Sequence, residues 1–324
     1  MKLGLFTACL PTWNLERIAE TAAACGFDAL ELAAWPTTVG RSFQATHVPV
    51  TSMTEEEVAG IRAVLDRWQL EVSSLGYYGN NLHPDPETRA AVGTHLRLVI
   101  DAAEKLGVGL VGTFIGRDWH LSVPENRVLA EKVMPPLVEY AAERNVQLMI
   151  ENCPMEGWHP DGYPANIAYS PELWRWMIDT LGLRLNWDPS HLLWMGIDPV
   201  ETIAEFAPAI VHTQAKDVQI FPRQRNRYGV FGTTQKEGNP WRTGWWRYRV
   251  PGRGEVDWSG VVDALYDHGY TGAVSVEHED PVWGGDPERV WDGLRIAYHT
   301  LRPLVPAEAG RGGDTLLSTK KGQE

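Results

Sequence analysis

Four short apolar runs in this chain each end on a residue that can hold a cation or move a proton. Gln147-Leu148-Met149-Ile150 stops on Glu151 and is followed by Asn152-Cys153-Pro154-Met155, which cannot continue a strand. Leu183-Arg184-Leu185-Asn186-Trp187 stops at Asp188-Pro189. Ile210-Val211-His212-Thr213 stops at Gln214 with Lys216-Asp217 just beyond, and Ala273-Val274-Ser275-Val276 stops at Glu277-His278. One carboxylate after such a run is more often a cap or a salt-bridge partner; the recurrence carries the reading. In a closed parallel barrel these ends gather at one mouth. Carboxylates gathered there repel one another unless a cation neutralises them, and a divalent metal is the simplest such cation. A shell of oxygens suits Mn or Mg, whereas a nitrogen ligand shifts the preference toward Mn, Co or Zn.

The elements that must position these groups alternate along the chain. Strands are expected at 3–6, 29–33, 71–76 and 109–113, then ending at Glu151, Asp188, near Gln214 and at Val276. Helices are expected between them, over 15–25 after Asn14 as N-cap, over 54–69 behind a Thr54/Glu57 capping box, and over 86–105. Further helices are expected over 126–144, 171–181 after Ser170-Pro171, 199–206, 257–268 and 287–300. Eight strand–helix pairs make an α/β chain with a single (β/α)8 TIM barrel over 1–305. The segment 218–255 shows no sustained period and is expected as a long loop after strand seven. The tail 306–324 has little to bury and is expected to be mobile.

Composition narrows the classes. A formal net charge of -13 over 324 residues repels a phosphate backbone, so nucleic acid is not expected as a partner. Cys9, Cys25 and Cys153 contain no C-x-x-C pair and point to reduced thiols and a cytoplasmic location. The N-terminus, Met1 to Cys9, faintly resembles a lipoprotein signal, but its apolar part is too short and reads better as strand one. No run approaches the length of a membrane span. No P-loop or Gly-rich phosphate cradle is present, and no nucleotide cofactor is expected.

With these motifs in view, the chain resembles the xylose-isomerase-like barrels of the sugar phosphate isomerase and epimerase superfamily, from the N-terminus to about Pro303. The resemblance rests on Ile150-Glu151-Asn152-Cys153-Pro154-Met155, Asn186-Trp187-Asp188-Pro189-Ser190-His191 and His212-Thr213-Gln214-Ala215-Lys216-Asp217. It also rests on Pro251-Gly252-Arg253-Gly254-Glu255-Val256-Asp257-Trp258 and Val276-Glu277. It implies one divalent metal, commonly Mn, held by Glu151, Asp188 and Glu277. Most relatives carry His-x-His-x-Lys-Asp on strand seven, and Gln214 stands where the second, ligating His is usual. A Gln can still offer its amide oxygen to a hard cation, without charge or softness.

The chemistry that follows is removal of the proton next to a sugar carbonyl, through an enediolate that a metal stabilises. By resemblance Glu151 and Glu277 exchange protons on the two faces of the sugar; His159, in the loop beyond strand five, is the alternative base. His191, Lys216, Phe114, Trp119 and Arg249 are candidate substrate contacts. From Phe221 to Trp258 the chain interleaves Arg223, Arg225, Arg227, Lys236, Arg242, Arg247, Arg249 and Arg253 with Tyr228, Trp241, Trp245, Trp246 and Tyr248. This segment fits a grip on a sugar phosphate, a docking surface for a partner subunit, or a pocket where glycoside rings stack on indoles. Gln214 and the Trp-rich segment also resemble the catalytic subunits of deglycosidases acting on 3-keto-glycosides, C-glycosides included. These work by β-elimination and pair with a small second subunit, and an oligomer is expected. Simple epimerisation or isomerisation is the alternative. Endonuclease IV shares this barrel but needs more histidine ligands, and a non-catalytic partner-binding barrel would also account for Gln214.

Overall fold

Runs such as Ala29–Ala33 and Ala273–Val276 are buried along their whole length, as strands covered on both faces must be. The chain is seen here in a computed structural model that describes residues 1–37, 45–51, 53–160, 162–230, 235–236 and 239–307, with backbone alone at 235–236 and 239–243. Its strands are β1 (Lys2–Phe6), β2 (Ala29–Ala33), β3 (Glu71–Asn80), β4 (Leu110–Phe114), β5 (Gln147–Glu151), β6 (Arg184–Trp187) and β7 (Ile210–Ala215). They continue with β8 (Asp217–Ile220), β9 (Gln235–Lys236), β10 (Asn239–Thr243), β11 (Trp246–Arg249) and β12 (Ala273–Val276). Eight of them close into a parallel barrel in the order β1-β12-β7-β6-β5-β4-β3-β2. This is the expected TIM barrel, with flanking helices between the strands. Among the described residues, no helix is long and apolar enough to cross a membrane.

Three local expectations are corrected. The helix expected over 126–144 is two helices, Val123–Val133 and Pro135–Ala142, because Pro135-Pro136 withholds the N–H groups that a continuous helix needs. The third strand runs on to Asn80 instead of stopping at residue 76, its register on β4 shifting between Gly76 and Asn80. The segment 218–255 is not a plain loop: β8, β11, β10 and β9 form a small antiparallel sheet, with an exposed helix Pro222–Tyr228 beside it. Trp246 and Tyr248 alternate inward on β11 and join Trp245 and Val218 in a second apolar cluster, against Trp194. The tail expected to be mobile lies, from residue 308 on, outside the described residues.

Candidate active site

Glu151 closes β5, Asp188 follows β6 and Glu277 follows β12, and the barrel brings their carboxylate oxygens within 4.8 Å of one another. All three are buried. Asp188 is also the N-cap of the helix Pro189–Met195: one of its oxygens, Oδ1, accepts from the Ser190 amide at 2.7 Å. Its Oδ2 has no hydrogen-bond partner and faces the cluster. Asn152 fixes the Asp188 backbone, accepting from its N–H at 2.7 Å and donating to its carbonyl at 2.9 Å.

Lys216, read from sequence as a substrate contact, lies inside this cluster. Its Nζ is 2.6 Å from Glu277, 3.1 Å from Glu279, 3.3 Å from Asp188 and 3.8 Å from Glu151. Four buried carboxylates thus face one ammonium, a balance reached only by protonation or by a further cation. Burial is the main force raising the pKa values of three of them: Glu151 is pushed well above the usual range, Asp188 to about 7 and Glu279 to about 8. For Glu151, repulsion from Glu277 adds to burial, and Lys216 pulls the other way. The three close carboxylates, with Asp188 Oδ2 held by ion-pair contacts but by no hydrogen bond, fit a hard divalent cation.

His191 stands against the same groups, with Nε2 3.1 Å from Glu151 and 3.3 Å from Asp188. Its Nδ1 is 2.8 Å from the Tyr248 hydroxyl. Burial, with Lys216 nearby, holds its imidazole neutral, well below the usual pKa. A neutral ring then fits by donating from Nε2 and accepting from Tyr248 at Nδ1. Tyr248 also places its ring 4.6 Å from the Lys216 ammonium.

Gln214 lies on β7 two residues before Lys216 and faces Glu31 on β2. Its Nε2 is 3.2 and 3.3 Å from the two Glu31 oxygens and 3.2 Å from the Tyr78 hydroxyl, and its Oε1 is buried without a partner. The Tyr78 hydroxyl donates to Glu31 at 2.7 Å and accepts from Asn186 Nδ2 at 2.7 Å. Asn186 in turn contacts His212, which reaches Ser73. His212 therefore belongs to a buried polar chain crossing the barrel.

The other expected residues are spread around the mouth. Phe114 packs with Tyr78 and Trp158 at ring separations of 5.1 and 5.6 Å, continuing an aromatic arc that includes Trp35 and Phe6. Trp119 is half-buried and meets His83 edge-on. His159 is half-buried in the loop after β5, edge-on to Tyr163, and is not among the groups gathered around Glu151. Arg249 is tied to Asp280 at 2.8 Å and to Gln219 at 3.1 Å. Of the basic and aromatic segment, Trp245, Trp246 and Tyr248 serve packing, Trp246 stacking on Trp194 at 4.6 Å. Arg223, Arg225 and Arg227 are exposed, while the side chains of Lys236, Trp241 and Arg242 lie outside the described residues.

Sequence reasoning missed Glu31, Tyr78, Tyr248 and Glu279. Glu31 carried a readable signal, a charge in the middle of the apolar run Ala29–Ala33. The Pro251–Trp258 motif proves to be scaffold: Asp217 accepts from the amides of Val218, Gly252, Gly254 and Val256 and from the Trp258 indole. A side chain on Gly254 would collide with the Asp217 carboxylate, which is why glycine stands there.

Comparisons agree with this architecture. Residues 19–297 match the family model described as the xylose isomerase-like TIM barrel. An uncharacterized Bacillus subtilis (strain 168) protein, YfiH, is 26% identical over 330 residues, covering 94% of this chain and 99% of its own. A D-psicose 3-epimerase structure, in the presence of D-fructose, superposes with a TM-score of 0.66 at 17% identity, covering 95% of this chain and 100% of that one. The 3-keto-D-glucoside 4-epimerase YcjR from E. coli gives 0.65 at 14% identity over the same shares. The probable 3-DHS dehydratase AsbF from Bacillus anthracis gives 0.67 at 18%, covering 93% of this chain and 98% of that one. At these identities the solved structures speak for the fold, and with the family model they place this chain in the xylose isomerase-like TIM barrel family.

Proposed function

We propose that this protein moves the proton next to the carbonyl of a keto-sugar, as a cation-assisted epimerase or isomerase. The observation that carries the reading is the convergence of Glu151, Asp188 and Glu277 within 4.8 Å at the barrel mouth. A divalent cation held by these groups and Gln214, Mn2+ in our reading, supplies Lewis-acid stabilisation of the negative charge that develops on the sugar oxygens. Glu151 and Glu277 take and return the proton. The neutral His191 holds Glu151 in place from 3.1 Å. The Lys216 ammonium offsets charge on the substrate side of Glu277 and Glu279. The aromatic arc from Trp35 to Trp158 supplies ring faces for the apolar side of a sugar, with Trp119 at the rim. The names of two structural neighbours, a D-psicose 3-epimerase and a 3-keto-D-glucoside 4-epimerase, support a keto-sugar substrate.

A second reading, β-elimination of a 3-keto-glycoside with loss of its aglycone, is favoured by the half-buried Trp119 and Trp158, which leave indole surface for an aglycone. It would bring in a small second subunit. Both readings go with a cytoplasmic oligomer whose three cysteines are unpaired.

Incubation with keto-sugars and 3-keto-glycosides in heavy water separates the two. Deuterium at the α-carbon of recovered sugar marks the first, and free aglycone with an unsaturated or hydrated sugar marks the second. Glu151→Gln is expected to abolish both signals with folding intact, and His159→Ala to spare them. A fully active Glu151→Gln protein would remove Glu151 from the chemistry.

A further inference from the structure

Gln214 poses a problem of orientation. An amide has one end that binds cations and one that repels them, and the two are nearly isosteric, so a glutamine in a cation site works only if its surroundings dictate which end faces in. Glu31 supplies that instruction. Both of its carboxyl oxygens lie within 3.3 Å of Gln214 Nε2 and accept from it. The Tyr78 hydroxyl already donates to Glu31 and offers its remaining oxygen lone-pair capacity to Asn186 and to Gln214 Nε2. The hydrogen bonds at that end of the amide therefore all run from Gln214 Nε2 to the Glu31 and Tyr78 oxygens. A flipped amide would set its oxygen against the carboxylate and leave its N–H groups unpaired, at a cost of about 1–3 kcal/mol for each buried donor.

We infer that Glu31, on β2 three strands around the barrel from β7, is a positioning residue that presents the oxygen of Gln214 as a neutral cation ligand and thereby makes the site one for hard divalent cations. The inference rests on the cation-assisted reading above. Two observations support it independently of the carboxylate cluster. Gln214 Oε1 is fully buried and has no partner, a costly state that a ligand would relieve. Glu31 is itself fully buried inside an apolar strand, and its described polar partners, Tyr78, Gln214 and Ser275, include no basic group. A carboxyl buried there without a basic partner is explained by what it orients.

The test is a double-mutant cycle read by Mn2+ affinity, measured from the electron paramagnetic resonance signal of free Mn2+ on the full chain. Glu31→Gln replaces one of the two oxygens that accept from Gln214 Nε2 by an amide nitrogen, and Gln214→Ala removes the ligand. Each is expected to weaken Mn2+ binding by about 10- to 100-fold, the range for losing an outer-sphere partner of a metal ligand. The double variant is expected to bind within about twofold of Gln214→Ala, because Glu31 acts through Gln214. A loss of field from Glu31 alone would instead persist in the Gln214→Ala background, so additive effects would overturn the inference, as would unchanged affinity in Glu31→Gln. A wild-type chain that binds no Mn2+ would overturn the cation reading as well, an outcome distinct from the other two.

Discussion

Replacing Asp217 with asparagine changes neither volume nor shape, yet the geometry around it predicts a large loss. Oδ1 accepts from the Val218 and Val256 amides, and Oδ2 from the Gly252 and Gly254 amides and the Trp258 indole, at 2.8 to 3.2 Å. Whichever way the asparagine amide turns, its nitrogen faces at least two N–H donors that it cannot satisfy. Each buried donor left unpaired costs about 1–3 kcal/mol, so Asp217→Asn is expected to lose about 2–6 kcal/mol of the roughly 5–15 that a domain possesses. The effect reaches the site, because β8 and β11 carry Tyr248 to His191. Urea unfolding followed by far-ultraviolet circular dichroism gives the global loss, and amide exchange across residues 250–258 gives the local one. A variant within about 1 kcal/mol of wild type, with exchange in that turn unchanged, would refute the account of Asp217 as the anchor.

Three further outcomes are expected. In EDTA, thermal stability falls from about pH 4.5 to about pH 8 and levels off above: Asp188, Glu279 and Glu31 keep protons in the folded state up to about 7, 8 and 8, while their unfolded counterparts lose them near pH 4. The folded state binds more protons in this window, so stability drops as pH rises through those values; a Tm that rises instead would contradict the buried-carboxylate geometry, and added Mn2+ is expected to reverse the drop. Gly112→Ala would push its new methyl into the Tyr78 hydroxyl and break the contact with Glu31, so sugar turnover is expected to fall at least about tenfold with circular dichroism unchanged. Gln214→His replaces a neutral oxygen by an imidazole and is expected to raise Zn2+ and Co2+ affinity relative to Mg2+, measured by competition titration.

Much of the barrel was legible because each strand is a short apolar run closed by a breaker, and a parallel barrel sends all such ends to one mouth. That logic located Glu151, Asp188 and Glu277 without any pairing being known. It failed where the position of a group depends on contacts distant in sequence. Glu31 is 183 residues from Gln214, and nothing local marks their meeting. Tyr248 looked like one aromatic among many, and only the antiparallel pairing of β8 with β11 turns it toward His191. The ion pairs of Lys216 were not legible either, because Glu277 and Glu279 come from a strand end 61 and 63 residues later. Part of the tryptophan in 241–258 has a structural reason: a small sheet outside the barrel needs bulky rings such as Trp245 and Trp246 to make a core.

Asp188 divides its two oxygens between tasks, one starting a helix and the other left open to the cluster. Whatever occupies the cluster must therefore pull on the first turn of Pro189–Met195, and six residues along that helix Trp194 lies flat on Trp246 with ring planes 10° apart. The molecule thus carries its own optical reporter: filling of the barrel mouth should be readable as a change in the exciton signal of one indole pair.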